Sequence, residues 1–547
     1  MSSFAQLDTF RDTGDTQGGA PLPKVKKARP NETSMQVPSS MMVNFLNQEG
    51  ELAGTQLDIP TESNVKQLEA LVNSLQEKTD PVPYAFYVHD VEVINSVGET
   101  VRQLMQERAE EGKDPLSLEE TLNISFRPLS VFRVRPVTRC IETLPGHSDA
   151  VLHVSFSPDG KRLASGGGDM AVRFWNPVTN LPSHVCTGHR HHVLCTAWSP
   201  CGTIFASADR SGEIRLWNPE DGSQRGSAMK GHTKWITSLA FEPIHVHGET
   251  LRLASSSKDH TVKVWNVING NCETTISGHL DSVECVKWGG TGLIYTCSRD
   301  RTIKVWAVDG HGHSRHMLVR TLTGHAHRIN TMALNCDYVL RSGVHSLDTL
   351  SKKDVSKATS STSKSKSDRA VVRVLSTEEK ERIKATALEH YHKVVGEGSK
   401  GERLVSGSDD FTLFLWAPQE TKTPIVRLTG HQQMVAHVCF SPDARYMASA
   451  SFDKKAKIWD GKTGKFIATC TGHVGAVYQL CWSADSNFLV SASKDSTLKL
   501  WSAKGEAKKS LHTLSGHEDE VYALDWSPNG YSLASGSKDR TIKIWHH

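Results

Sequence analysis

The sequence predicts a mainly β chain built around an eightfold repeat, with a smaller α+β domain ahead of it. Three observations carry this. A Gly-His pair recurs at Gly146-His147, Gly188-His189, Gly231-His232, Gly278-His279, Gly324-His325, Gly430-His431, Gly472-His473 and Gly516-His517. A tryptophan follows each pair, at Trp175, Trp217, Trp265, Trp306, Trp416, Trp459, Trp501 and Trp545, and five of the eight His-to-Trp separations are 28 residues. Between them lie runs rich in β-branched and aromatic residues, such as Val151–Phe156 and Ala171–Trp175, broken by turn sequences such as Ser157-Pro158-Asp159-Gly160.

Self-similarity at this period, with this signature, marks the blades of a WD40 β-propeller. A blade cannot bury both faces alone, so the repeats are expected to stack into an eight-bladed ring over residues 139–547. The last tryptophan is followed by only two residues, so the eighth repeat lacks an outer strand of its own. Arg139–Leu144 is expected to supply it and leave no open edge.

An aspartate stands six residues before the tryptophan at Asp169, Asp259, Asp300, Asp410, Asp453, Asp495 and Asp539. Resemblance to WD40 repeats implies that these join the Trp and the Gly-His histidine (His147, His232, His279, His431, His473, His517), with a Ser or Thr, in a buried network. The second repeat departs, with Ser211 at that position and Asp209 nearby, which puts its network in question. A hydrolytic triad occurs once, at a cleft; a set that recurs in every repeat is structural, because buried polar groups need partners.

Bulk properties narrow the classes. The net charge of +3 neither demands nor excludes nucleic acid. Eleven scattered cysteines without a CxxC suit buried free thiols in the cytosol or nucleus, not disulfides or zinc. No long apolar run or signal-peptide pattern is present, so no membrane partner is expected. His311, His313 and His316 read as a solvated loop and not a metal site.

Residues 1–35 read as a polar tail, with basic residues Lys24, Lys26, Lys27 and Arg29 that serve either as an import signal or as plain solvated charge. Residues 36–135 read as a β-grasp, ubiquitin-like domain. Val37–Leu46 and Leu52–Ile59 are expected strands, and Ser63 with Gln67 opens a helix whose Leu68, Leu71, Val72 and Leu75 share one face. Strands Tyr84–Val88 and Val91–Ile94, a short helix over Thr100–Arg108 and a strand over Leu122–Phe126 complete it. The segment Asp114–Thr121 is an acidic loop: either solvated charge, or a protruding acid that completes a hard cation held by another protein.

Taken together, this domain, the linker Phe132–Arg139 and the repeats resemble the Notchless family. The resemblance extends through Lys234–Leu239 with Glu242–His245, Val286–Gly290, Asn330–Leu334 with Asp337-Tyr338, and Ser406–Leu413, and covers roughly residues 36–547. It implies a non-enzymatic assembly factor of the large ribosomal subunit, found in nucleolus and nucleoplasm, whose propeller docks on the pre-60S particle. It also implies that the ubiquitin-like domain engages the MIDAS domain of the AAA ATPase Midasin. There a loop carboxylate would complete Mg²⁺ coordination in trans, with no cofactor of the chain's own and no small-molecule substrate. Counting back from Arg127-Pro128 places that ligand at Glu119, with Glu120 the ligand if the loop is shifted by one. ATP hydrolysis would belong to the partner, since no Gly-rich Lys-Ser/Thr phosphate loop occurs here.

The fifth repeat carries an insertion at about 340–400. Its segment 351–375 holds seven Lys/Arg, including Lys352, Lys353, Lys357, Lys364 and Lys366, against two Asp. This is either a tolerated surface loop or an rRNA-phosphate contact. Ser376–Glu379 then signals a helix to about Val395, with Ile383, Ala387, His390 and Tyr391 on one face packed on the ring. Arg190, His191, His192, Lys234 and Trp235 follow Gly-His pairs and are expected at one rim as an interface, although Trp235 could equally be packed between blades. Two competing readings are a ubiquitin-system substrate adaptor and the sister Midasin substrate. The first would want a Gly-Gly tail after the domain, and the second a seven-bladed ring.

Overall fold

The computed structural model describes residues 38–47, 51–76, 84–89, 91–93, 96–110, 121–128, 134–246, 251–308, 316–343, 377–396, 401–503 and 509–547. The chain divides into two compact units at Pro128 and Leu129.

In the first unit the elements run β1 (Ser40–Leu46), β2 (Leu57–Pro60), α1 (Val65–Leu75), β3 (Tyr84–Val88), β4 (Val91–Glu92), α2 (Val97–Glu110) and β5 (Leu122–Pro128). The sheet order is β2-β1-β5-β3-β4, with β1 parallel to β5, which is the β-grasp arrangement. Alternation in β1 sends Met41, Val43 and Phe45 inward, where they meet Leu68 and Val72 of α1 and Phe86, Ile124 and Phe126. Helix α1 is capped by Asn64, not Ser63: the Asn64 side chain accepts from the Gln67 N–H and the Gln67 side chain accepts from the Asn64 N–H. Leu52 makes only a bridge to Leu46, because the chain bends at Gly54 (φ +96°) before β2 begins. The expected second strand over Leu52–Ile59 is therefore short.

In the second unit, the described residues form eight sheets. Their first strands are Val151–Phe156, Val193–Trp198, Ile236–Phe241, Val283–Trp288, Ile329–Leu334, Val435–Phe440, Val477–Trp482 and Val521–Trp526. Each packs beside the next, and the eighth beside the first, so the sheets form a closed ring. The ring is sealed where β6 (Arg139–Leu144) pairs antiparallel with Ile542–His546 and becomes the fourth strand of the last sheet. The valine or isoleucine opening each first strand is essentially inaccessible, as are Trp175, Trp217, Trp265, Trp416, Trp501 and Trp545, so the core is a set of layers between sheets. The second sheet has three strands: after Trp217 the run Pro219–Gly226 turns at Gly222 and Gly226, and only two isolated bridges follow.

Among the described residues, two helices follow the first strand of the fifth sheet, α3 (Asp337–Ser342) and α4 (Thr377–Val395). In α4 Ala387 and Tyr391 are buried while Ile383 and His390 are half-buried; the Ser376 cap lies outside the described residues. Tyr391 fills the space over Gly290, where a Cβ would come within 2.2 Å of its ring, so that position needs glycine. The Tyr391 hydroxyl donates to the buried Glu402 (3.1 Å), which also accepts from Tyr295 Oη (2.7 Å), Gln419 Nε2 (3.2 Å) and the Gly290 N–H. Four donors compensate the desolvation of that carboxylate.

Helix α3 reaches across the ring. Asp337 pairs with Lys287 of the fourth sheet at 2.9 Å. Arg341 makes a two-pronged bond to Asp525 of the eighth sheet (2.9 and 2.5 Å) and donates to the Phe156 carbonyl of the first (3.4 Å). Gly343 lies so close to the Pro200 carbonyl that a Cβ would sit 2.7 Å from it. A six-residue helix that, with the glycine after it, reaches the ends of first strands in three sheets and the turn after one in a fourth sits on the ring axis, across one mouth of the central passage. All these contacts are at the C-terminal ends of the first strands. The Gly-His pairs precede those strands, so α3 and the Gly-His loops occupy opposite faces.

Asp525 is 5% exposed and also accepts the Phe156 N–H at 2.7 Å, so removing its cation leaves a buried acceptor partly uncompensated. Arg341→Ala is expected to destabilise the ring by about 1–3 kcal/mol. Arg341→Ala with Asp525→Ala together should cost less than the sum of the two. Denaturant midpoints of the three variants check this; simple additivity would mean that the pair does not act as a brace.

Candidate binding faces of the ring

Each sheet carries the same buried chain of donors. In the first, Trp175 Nε1–H donates to Ser165 Oγ (3.0 Å), whose hydroxyl donates to His147 Nε2 (2.8 Å), and His147 Nδ1–H donates to Asp169 (2.9 Å). Only this histidine tautomer satisfies every atom of the chain. The set repeats as His232–Asp259–Trp265, His279–Asp300–Trp306, His325–Asp410–Trp416, His431–Asp453–Trp459, His473–Asp495–Trp501 and His517–Asp539–Trp545, with Thr296 replacing serine in the fourth sheet.

The second sheet also has the network, against the doubt raised by Ser211. Asp209, two residues earlier, accepts from His189 Nδ1 at 3.1 Å, and Ser207 joins His189 (2.6 Å) to Trp217 (2.7 Å). Ser211 instead donates its hydroxyl to Asp209 (2.6 Å). The shifted aspartate has a consequence for the loop above it. In the other seven sheets the carboxylate also accepts the N–H of the residue after the histidine, as Asp259 does from Thr233 (3.0 Å). Among the described residues no carboxylate holds the Arg190 N–H.

Burial alone would raise these aspartates, but the imidazole hydrogen bond and the loop N–H groups outweigh it. Asp169 and Asp209 are held down to about 2, and Asp259, Asp300, Asp410, Asp495 and Asp539 lower still. Carboxylates depressed in the folded state contribute stability that is complete above the unfolded value and lost as pH falls through the folded one.

On the Gly-His face, the loops of the second and third sheets meet in a cleft of about 420 Å³ lined by His191, Arg210, Ser211, Thr233, Lys234 and Trp235. Trp235 is 36% exposed, not packed between blades. The Arg210 guanidinium lies 4.1 Å and the Lys258 ammonium 4.5 Å from its ring centroid, close enough for cation–π attraction. Arg190 is exposed on the loop that supplies His191, while His192 is tied to the Gly168 carbonyl (2.7 Å). Arg210 and Lys258 were not among the residues expected at this rim. Their positions become equivalent only when the repeats are aligned from the tryptophan backwards, which is the one sequence signal for them.

The remaining site residues lie outside the described part. These are Glu119 and Glu120, between α2 and β5, and Lys352, Lys353, Lys357, Lys364 and Lys366, between α3 and α4. His311 and His313 are outside it too, while His316 opens the outer strand His316–Thr323. Among the described residues no cluster of three His, Cys, Asp or Glu side chains suited to a metal occurs, and no helix is long and apolar enough to cross a membrane.

Asp209→Ala should lower ring stability by about 1–3 kcal/mol, whereas Ser211→Ala should cost well under 1 kcal/mol; equal losses in chemical denaturation would contradict the shifted network. Stability of the ring should hold above about pH 4 and fall steeply as pH approaches 2. Thermal melts across that range test it, and Asp209→Asn should flatten the fall.

Comparison with known proteins places these features. The family profile "WD domain, G-beta repeat" matches residues 138–176, 180–218, 223–266, 270–307, 422–460, 464–502 and 508–546, and so passes over the fifth sheet with its insertion. The profile "NLE (NUC135) domain" matches residues 41–101. Protein Notchless of Drosophila melanogaster is 43% identical over 427 residues, covering 78% of this chain and 79% of that protein. Notchless protein homolog of Arabidopsis thaliana is 44% identical, covering 78% and 81%. Ribosome assembly protein 4 of Saccharomyces cerevisiae is 41% identical, covering 77% of each chain. Among solved structures, the computationally designed Ika8 protein superposes with a TM-score of 0.54 at 23% identity over 75% of this chain and all of that one, a likeness of fold alone. With an NLE domain, a WD40 ring and relatives of this identity over most of its length, the chain belongs to the Notchless family.

Proposed function

We propose that this chain is a non-enzymatic assembly factor of the large ribosomal subunit, acting in nucleolus and nucleoplasm. In this reading the ring docks on the pre-60S particle, and the N-terminal domain engages the MIDAS domain of the ATPase Midasin, whose force then remodels the particle. The observation that carries the reading is the match, over 77% and 78% of this chain, to relatives named ribosome assembly protein 4 in two fungi, at 41% and 39% identity. The recurrence of the His–Asp–Ser/Thr–Trp set in every sheet supports a scaffold, since each member is occupied in holding its own sheet together.

The Midasin contact follows from the family resemblance and rests on the segment between α2 and β5. A single carboxylate suits the donor set of such a site: Mg²⁺ takes one or two carboxylates and keeps positions for an incoming oxygen ligand. Glu119 would be that ligand, and this chain's part would be to present one charged oxygen from the segment between α2 and β5. A chain that offers one acid in trans needs no metal site of its own.

Capture of the full-length chain by an immobilised Midasin MIDAS domain tests this. Binding in Mg²⁺ should be lost with chelator and weakened at least about a hundredfold in Glu119→Ala, the scale of losing a charged ligand. Glu120→Ala should bind as the parent chain does. If Glu120→Ala fails instead, the loop register is shifted by one. Binding that ignores both chelator and substitutions removes the metal bridge.

A further inference from the structure

We propose that the Gly-His face over the second to fourth sheets is a binding surface for unpaired RNA. Its phosphates would be taken by Arg190, Arg210, Lys234, Lys258 and Arg301, and a base would stack against Trp235. This deepens the ribosome-assembly reading and rests on it only for where such RNA is met.

Adjacent cations without a carboxylate partner are concentrated in this region. Several other cations of the same face are neutralised by neighbouring carboxylates: Arg299 by Glu284 (2.5 Å), Arg328 by Asp409, Lys494 by Glu520 (3.7 Å) and Lys538 by Asp519 (3.3 Å), whereas Lys454 and Arg540 stand singly in separate sheets. Among the described residues, Arg190, Arg210, Lys234, Lys258 and Arg301 have no carboxylate within ion-pair distance. Unpaired cations keep their field, and that field favours a polyanion that releases counterions on binding.

A second observation is independent of charge. An indole 36% exposed, with two cations held 4.1 and 4.5 Å from its ring centroid, offers an aromatic surface beside positive groups. Single-stranded nucleic acid is bound by this combination, because every base has a stacking face and each nucleotide carries a phosphate. The third observation is the displaced aspartate of the second sheet. Asp209 accepts from Ser211 and Glu213, and leaves the Arg190 N–H without the carboxylate that the other seven loops possess. The Arg190 N–H, on the loop that supplies His191 to the cleft, is thereby left for another acceptor, which a phosphate oxygen can be.

An acidic peptide suits the cleft less well. Extended peptides gain affinity by adding to a sheet edge, and this surface is made of loops between paired strands.

Binding of the full chain to a fluorescein-labelled oligouridylate of about 12 nucleotides, followed by anisotropy across a potassium chloride series, tests the proposal. Five cations on a single strand predict a slope of log K against log salt of about −3.5. Arg210→Ala with Lys258→Ala should bring it to about −2. Trp235→Ala should weaken binding roughly 5- to 100-fold with little change in slope, and Trp235→Phe should restore most of it. Lys494→Ala with Lys538→Ala, whose ammonium groups are already paired, should leave both quantities unchanged. The proposal is overturned if the cation and Trp235 variants bind like the parent chain. It is equally overturned if only deletion of 351–375 abolishes binding, which assigns RNA to that segment, or if the probe is ignored while an oligoglutamate binds. Co-sedimentation of the parent chain with large-subunit precursors is scored separately: its failure sinks the assembly reading, whereas its persistence with RNA-indifferent variants sinks only the RNA surface.

Discussion

A ring of sheets has no free edge only if its two ends pair, and in this chain that pairing joins residues some four hundred positions apart. The last sheet is completed by Arg139–Leu144 lying against Ile542–His546, with Lys543 Nζ donating to Thr143 Oγ1 across the seam at 2.7 Å. Every sheet buries its Trp and Val layers against a neighbour, so an unsealed ring would expose one such layer at each end as well as two rows of unpaired backbone. The entry to the seam is also held: Val137 is 1% exposed, the Val134 N–H donates to Asp485, and the Thr138 N–H donates to the His546 carbonyl. The chain leading into the ring is therefore tied down before the closing strand begins.

Within that frame the buried networks do a different job from the apolar layers. Trp, Ser, His and Asp form a directed line of hydrogen bonds from the interior of each sheet to the loop at one face. The network makes the loop position depend on the sheet interior, which is why moving one aspartate by two residues, as in the second sheet, alters the loop rather than the fold. The altered loop adjoins Arg210, Lys234 and Lys258, which have no carboxylate within ion-pair distance among the described residues.

The two faces of the ring are not equivalent. One mouth is crossed by α3, whose Asp337 and Arg341 bind sheets on different sides of the axis. The insertion thus braces the ring it interrupts, since it joins sheets that have no other direct contact. The opposite face keeps its loops open and carries the exposed indole. The proposed assembly role would draw on both properties, a ring that resists opening and a loop face left accessible.

The fold of this chain was legible because its signals are local. The Gly-His and Trp spacing, the short alternating strands and the turn residues each lie within one repeat, and the β-grasp unit follows from alternation in β1 and the apolar face of α1. Glu119 and Glu120, named from the family resemblance, and the basic run Lys352–Lys366 lie outside the described residues. What only the tertiary structure decided involves partners far apart in the chain. Asp525 meets Arg341 across 184 positions and the Phe156 N–H across 369, and neither residue stands out in its own segment. The rescue of the second network by Asp209 depended on where a β-turn points a carboxylate, which a fixed six-residue spacing cannot express. Whether a surface arginine or lysine is paired depends on which loop of the neighbouring sheet carries an acid, and so the cationic cleft around Trp235 emerged only when the sheets were side by side.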